Sequence, residues 1–343
     1  MVAIQGVEAS KDMEQCMAAV SLLVVSESDI GSTVQGSALL ARGGWDEHAA
    51  VDGGRVWRHR SGRVDLWWRN EPHLYSDYLD KQYEMQTSRS LSEVLFLSRH
   101  VAASGRPSLT LHAIGVPGAS PHGEAAEYGG RNGMTVPPSP RFASLFRRLD
   151  QIANSTGIIE EFEVTLETTH HGPLLDTPTL FIEIGSTEEH WGRQDAAEVW
   201  ADVLTQEFGL EDEFEVMGAR EIAFIGLGGG HYAPRHQAIL RDTSAHCGHL
   251  VASYSLSFNL PDEPDWDSLT GPLPEGLWKA TIDGCLKQTQ DVFPESKVVA
   301  HLDRKSFKGW QRQSIRRHLE AKGIPLFRQA DFLAFDESKR ESS

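Results

Sequence analysis

The sequence predicts an α/β fold, and three observations predict it. Short apolar, β-branched runs recur along the chain, stretches with apolar residues at three- and four-residue spacings stand between them, and several runs stop at segments rich in Gly, His, Pro or Ser. The runs are Val20 to Val25, Val64 to Trp68, Val94 to Leu97, Leu109 to Ile114, Phe162 to Leu166, Leu180 to Ile184, Ile222 to Ile225, Leu250 to Ser255 and Val298 to Leu302. Helical spacings cover Pro140 to Ile152, Ala196 to Phe208, Pro234 to Leu240, Glu275 to Gln288 and Trp310 to Lys322. This alternation predicts one sheet with helices on both faces, three layers forming a single catalytic domain over residues 1–330. Residues 31–62 read as a variable connection, and 115–140 are too dense in Gly and Pro for regular structure. The acidic, Ser-ended segment 331–343 reads as a loose tail.

With 343 residues, 40% hydrophobic and 24% charged, the chain can bury a large core. No stretch reaches the roughly 18 apolar residues of a membrane helix. Glu8, Asp12 and Glu14 suit neither a secretory nor a mitochondrial leader, so a cytosolic protein is expected. Cys16, Cys247 and Cys285 are too widely spaced to suggest a disulfide framework or a zinc ribbon, and the absence of repeats makes a monomer the default. A net charge of -17 argues against general coating of nucleic acid, so any RNA contact must be local. One segment suits it: Arg304, Lys305, Lys308, Arg312, Arg316, Arg317, Lys322 and Arg328 surround a single acid, Glu320, although a solvated helix face would read the same way.

The chemistry-bearing residues gather where strands end. Glu167-Thr168-Thr169-His170-His171-Gly172-Pro173 follows an alternating strand, and the Gly-Pro break lets neighbouring imidazoles leave the strand's two-faced geometry. Glu183 lies in the apolar run Leu180 to Ile184, where a carboxylate is costly unless a metal, a cation or a donor compensates it. Gly228, Gly229 and Gly230 precede His231 and Arg235, and their N–H groups could form an oxyanion hole or anion cradle. The register is not that of a dinucleotide fingerprint, and Walker A, G-x-S-x-G, H-E-x-x-H and C-x-x-C patterns are missing from the sequence. His112 and His249, on or beside strands, are further candidates. Together these histidines and carboxylates read as a metal site that acidifies water for hydrolysis without a serine or cysteine nucleophile.

At these residues the chain resembles the archaeal- and plant-type D-aminoacyl-tRNA deacylases. The likeness is carried by Ser76 to Asp80, Leu97 to His100, Leu109 to His112 and Glu127 to Gly130, and most specifically by Glu167 to Pro173, Phe181 to Thr187 and Gly228 to Arg235. The resemblance implies hydrolysis of the ester joining a D-amino acid to the terminal ribose of tRNA, with zinc as cofactor and a fold similar to peptidyl-tRNA hydrolases and nucleoside phosphorylases. It implies metal positions at His170, His171, Glu183, His231 and His249, with His231, His171 and Glu183 catalytic. It further implies substrate or tRNA contacts from Gly228, Gly229, Gly230, Arg235, Lys305, Lys308 and Arg312. Two other readings remain at this point: a metal-dependent amidohydrolase or peptidase for small substrates, which the acidic charge would suit, and a noncatalytic tRNA-binding protein with structural histidines.

Overall fold

The computed structural model describes residues 19–118, 128–211, 221–263 and 266–340. In chain order it places strand β1 (Val20–Ser26), helix α1 (Ile30–Ala41), strands β2 (Trp45–Val51), β3 (Gly54–His59) and β4 (Val64–Arg69), helix α2 (Leu79–Thr87), and strands β5 (Leu91–Arg99), β6 (Ser108–His112), β7 (Gly115–Val116) and β8 (Met134–Thr135). Helix α3 (Phe142–Thr156), strands β9 (Glu163–Leu166) and β10 (Thr179–Gly185), and helices α4 (Glu188–Trp191) and α5 (Gln194–Glu207) follow. The remainder is β11 (Ile222–Leu227), α6 (Pro234–Asp242), β12 (His246–Val251), α7 (Trp278–Val292), β13 (Lys297–Leu302), α8 (Gly309–Ala321), β14 (Leu326–Phe327) and α9 (Gln329–Arg340).

The α/β class stands, but the strands divide between two main sheets. Eight form a mixed sheet in the order β2-β3-β4-β1-β5-β10-β6-β9, and four form an all-parallel sheet in the order β12-β11-β13-β14. Pleating explains what each face of the larger sheet does. Leu23, Val25, Leu95, Leu97, Leu180, Ile182 and Ile184 join the core containing α1, α3 and α5, while Leu22, Val24, Val94, Phe96 and Phe181 face Leu79 and Tyr83 of α2 on the other side. Glu183 shares a parity with Phe181, so the helix-poor face receives the carboxylate.

Three regions differ from the sequence reading. Residues 31–62 are regular: Asp29 caps α1 by accepting from Ser32 N, and Asp52 and Gly53, both at positive φ, turn β2 into β3. Gly36 conceals the helix in the sequence but is needed, because a Cβ there would sit 2.7 Å from Val25 and 2.9 Å from Trp68. The expected tail contains α9, anchored by Phe332, which is buried against Phe224 and Phe327. The strand expected over Leu250 to Ser255 is β12 instead, with a 3-10 turn at Ser253–Ser255. Of the expected irregular stretch 115–140, residues 119–127 lie outside the described residues, as does Cys16.

One buried ionic network ties α3 to the sheet. Arg141 reaches Glu93 at 2.7 Å and Glu207 at 3.2 Å, and both acids are buried. Removing the cation strands two buried carboxylates, so Arg141→Ala should lower unfolding stability by about 3–5 kcal/mol. Denaturant unfolding at pH 7 checks this; a change below about 1 kcal/mol would mean that Arg148, 3.0 Å from Glu207, suffices.

Candidate active site

Strand ends build the site. The carboxyl end of β5 delivers His100, the end of β6 His112, the segment after β9 Glu167 to His171, the middle of β10 Glu183, and the loop after β11 His231. A bridge between Glu167 and Tyr232 stitches the first sheet to the loop of the second, and one between Ile114 and His170 continues the pairing beyond β6 and β9. A cavity of about 510 Å³ opens over this cluster. Phe181, His73, Leu74, Val101, Val116 and Pro117 supply apolar wall, and Ser28, Asp29 and Ser98 line it with polar groups.

Hydrogen bonds set the imidazole tautomers. His112 Nδ1–H donates to Ala113 O at 3.0 Å, His170 Nδ1–H to Thr168 O at 2.7 Å, and His171 Nδ1–H to Gly172 O at 2.6 Å. In the neutral rings three backbone carbonyls thus take the three protons and leave three Nε2 lone pairs, although at His112 burial is outweighed by Glu183, which raises its pKa and favours a proton there. One ring nitrogen of each of these three histidines lies within 4.8 Å of the others, and buried His112 Nε2 has no hydrogen-bond partner. Bare nitrogens cannot bond to one another, so the arrangement suits a proton or a metal cation held among them.

A second grouping adjoins the first. Fully buried Glu167 has His100 Nδ1 3.1 Å from Oε1, and His231 Nε2 at 3.0 Å and His170 Nε2 at 3.6 Å from Oε2, yet neither oxygen is aligned for a hydrogen bond. Burial alone would raise the Glu167 pKa, but His100 and His231 draw it down to about 2. Glu183 accepts from His100 Nδ1 at 3.2 Å and stands 3.9 Å from His112 Nε2; burial is again outweighed, and its carboxyl is held well below the usual range. Conversely, burial disfavours charge on His100, but Glu167 and Glu183 raise it to about 9. Burial, with His112 adding to it, pushes His171 down to about 3 and His170 well below its ordinary value. Two buried carboxylates facing five imidazoles therefore favour positive charge at the centre of the cluster.

The structure brings His170, His171, Glu183 and His231 together and separates His249 from them. His249 is buried between Thr169 Oγ1 at 3.0 Å and Gln288 Oε1 at 2.8 Å, outside every grouping that could hold a metal among the described residues. The expected oxyanion hole also fails at two of its donors: Gly228 N–H is spent on Val251 O and Gly229 N–H on Ser306 Oγ, each at 2.8 Å. These glycines allow close packing instead, since a Cβ on Gly228 would meet Asp303, Ser306 and Phe307 at 3.0–3.1 Å. Only Gly230, which is exposed, remains of the three. Arg235 pairs with Asp303 at 2.9 Å, and Arg312 donates to the carbonyls of Arg304 and Phe307. Lys305 and Lys308 are exposed and form no ion pair among the described residues. His100 is a central residue that the sequence assigned no role, although it lies in a string that carries the resemblance; Glu167, expected only as a carboxylate near the site, stands at its centre.

Comparison with known proteins agrees with this organisation. A family model described as D-aminoacyl-tRNA deacylase matches residues 87–327. The chain is 39% identical over 323 residues to a D-aminoacyl-tRNA deacylase of Arabidopsis thaliana, covering 91% of this chain and 99% of the relative. It is 33% identical over 214 residues to that of Pyrococcus furiosus, covering 61% and 71%. Among solved structures it is similar to AF0625, a conserved protein of unknown function, with a TM-score of 0.72 and 25% identity over 93% of this chain and 98% of the other.

Proposed function

The chain belongs to the D-aminoacyl-tRNA deacylase family, enzymes that hydrolyse the ester between a D-amino acid and tRNA, and from that premise we propose that the buried histidine–carboxylate cluster is the hydrolytic centre and holds zinc. The observation that carries the reading is the set of three Nδ1–H groups spent on backbone carbonyls, which in the neutral rings leaves Nε2 free on His112, His170 and His171, a trio whose ring nitrogens approach within 4.8 Å. Three imidazoles suit zinc and leave a position for water or substrate. When bound there, the ion would polarise the ester carbonyl and acidify water.

The chain's own residues supply the rest. His100 and Glu183 support the cluster from behind, and the Tyr232 hydroxyl, 2.9 Å from His100 Nε2, fixes the ring. Glu167 faces His231 Nε2 at 3.0 Å, which leaves Nδ1 as the nitrogen that can exchange a proton with the attacking water or the departing ribose oxygen. That His231 lines the cavity supports this role. We assign His171 and Glu183 to the centre as ligand and supporting carboxylate.

The basic stretch lies one loop away: residues 303–307 pack on Gly228 and Gly229, which lead directly into His231. Lys305 and Lys308, exposed on this segment, are our candidates for tRNA phosphate contact, with Arg235 and Arg312 bracing the segment. Reversal of both lysines to Glu should raise KM for D-tyrosyl-tRNA about tenfold or more and reduce the salt slope of log kcat/KM by about one to two. Steady-state kinetics between 50 and 200 mM salt, a range taken from general protein–nucleic acid behaviour, checks this. Unchanged KM and slope would remove the segment from the tRNA interface. The small-substrate amidohydrolase gains nothing from the comparisons, and the chemistry of the cluster favours a catalytic over a noncatalytic reading.

A further inference from the structure

His249 belongs to a different circuit from the metal cluster. Gln288 Nε2 donates to the carbonyl of Thr135 at 2.6 Å, a bond that only the amide nitrogen can make. The amide oxygen is therefore the atom facing His249 Nε2 at 2.8 Å, and it also accepts from the Thr135 hydroxyl. His249 must carry its proton on Nε2, and its Nδ1 is a bare acceptor. The partner of that nitrogen, 3.0 Å away, is Thr169 Oγ1, so the Thr169 proton points at His249. Thr169 lines the cavity beside His170, and its oxygen has only lone pairs left to offer.

A hydroxyl, an imidazole and an amide in series resemble a nucleophile with its base and orienter. The chemistry here is different. Burial drives His249 down to about 4, and a neutral amide stands behind it, so the ring is a poor destination for the threonine proton. The circuit fixes the direction of a hydrogen bond.

We propose that Thr169 Oγ1 is an acceptor reserved for the ribose hydroxyl vicinal to the scissile ester, and that His249 and Gln288 are positioning residues that hold its proton away. That hydroxyl is an O–H donor one carbon from the reacting oxygen and is present whatever amino acid is attached. An acceptor next in the chain to His170 is suitably placed for it. The proposal rests on the cavity's being where the ester binds.

The test is hydrolysis of D-tyrosyl-tRNA carrying either the natural terminal ribose or one whose vicinal hydroxyl is replaced by hydrogen. Thr169→Val should lose about 10- to 100-fold in kcat/KM on the natural substrate and no more than about threefold on the deoxy substrate, while Thr169→Ser stays near wild type on both. Gln288→Leu, remote from substrate, should show the same substrate dependence to a smaller degree and serves if Thr169→Val does not fold. Equal losses on both substrates would overturn the proposal. So would a loss that disappears on N-acetyl-D-tyrosyl-tRNA, which would give the acceptor to the α-ammonium group. Inactivity of Glu167→Gln in the same assay separates failure of this proposal from failure of the active-site reading.

Discussion

Glu167→Gln is expected to reduce kcat for D-tyrosyl-tRNA hydrolysis by about a thousandfold, roughly 4 kcal/mol of transition-state stabilisation, with the fold retained. The substitution keeps the shape of a fully buried side chain and removes a charge that three imidazoles face at 3.0, 3.1 and 3.6 Å. An amide would accept weakly at one atom and present N–H groups at the other, where His231 Nε2 must be held. His231 then loses its orientation and the charge that it faces at 3.0 Å. Because the loss falls on a proton-transfer step, kcat should drop far more than KM rises. Single-turnover and steady-state kinetics, with circular dichroism to confirm the fold, measure it. Retention of more than about a tenth of wild-type kcat would demote Glu167 to a structural acid.

The second large effect is on stability. Stripping metal from the enzyme with a chelator should lower the midpoint of thermal unfolding by several degrees, and added zinc should restore it in a concentration-dependent way. A ligand that binds only the folded state stabilises by RT ln(1 + [L]/Kd), about 4 kcal/mol at a thousandfold excess over Kd. The preorganised tautomers mean that little of that energy is spent on rotating His112, His170 and His171. Replacing His112 by Phe should abolish the zinc-dependent shift. A midpoint that ignores both chelator and zinc would count against the centre.

Much of the site was legible because its residues break local rules. Glu183 stood out as a carboxylate in an apolar strand, and His170 and His171 as paired imidazoles halted by Gly-Pro. His100 was not legible, since it closes an ordinary-looking strand and its partners are distant in sequence; the pairing of β5 with β10 brings Glu183 to it, and those of β10 with β6 and β6 with β9 bring Glu167. His249 misled for the opposite reason. A strand histidine offers the same letter whether its nitrogens meet a metal or, as here, Thr169 and Gln288. The glycine loop predicted close backbone approach correctly but not the approaching group, which is the segment containing Asp303 and Ser306. In the fold, the apolar strands were legible, whereas α1 was hidden by glycines that its contact with the sheet requires, and α9 by an acidic composition around the single anchor Phe332.

The central claim is that the cluster of His112, His170 and His171 with Glu167 and Glu183 is a metal centre that cleaves the ester. Its most direct measurement is zinc titration into chelator-stripped, dialysed protein, following release of tyrosine from matched D- and L-tyrosyl-tRNA. The account predicts negligible release before zinc, a rise that saturates at stoichiometric metal, and selectivity for the D-ester throughout. Full D-selective hydrolysis by protein shown to be metal-free would contradict it, and would make these histidines direct acid–base groups.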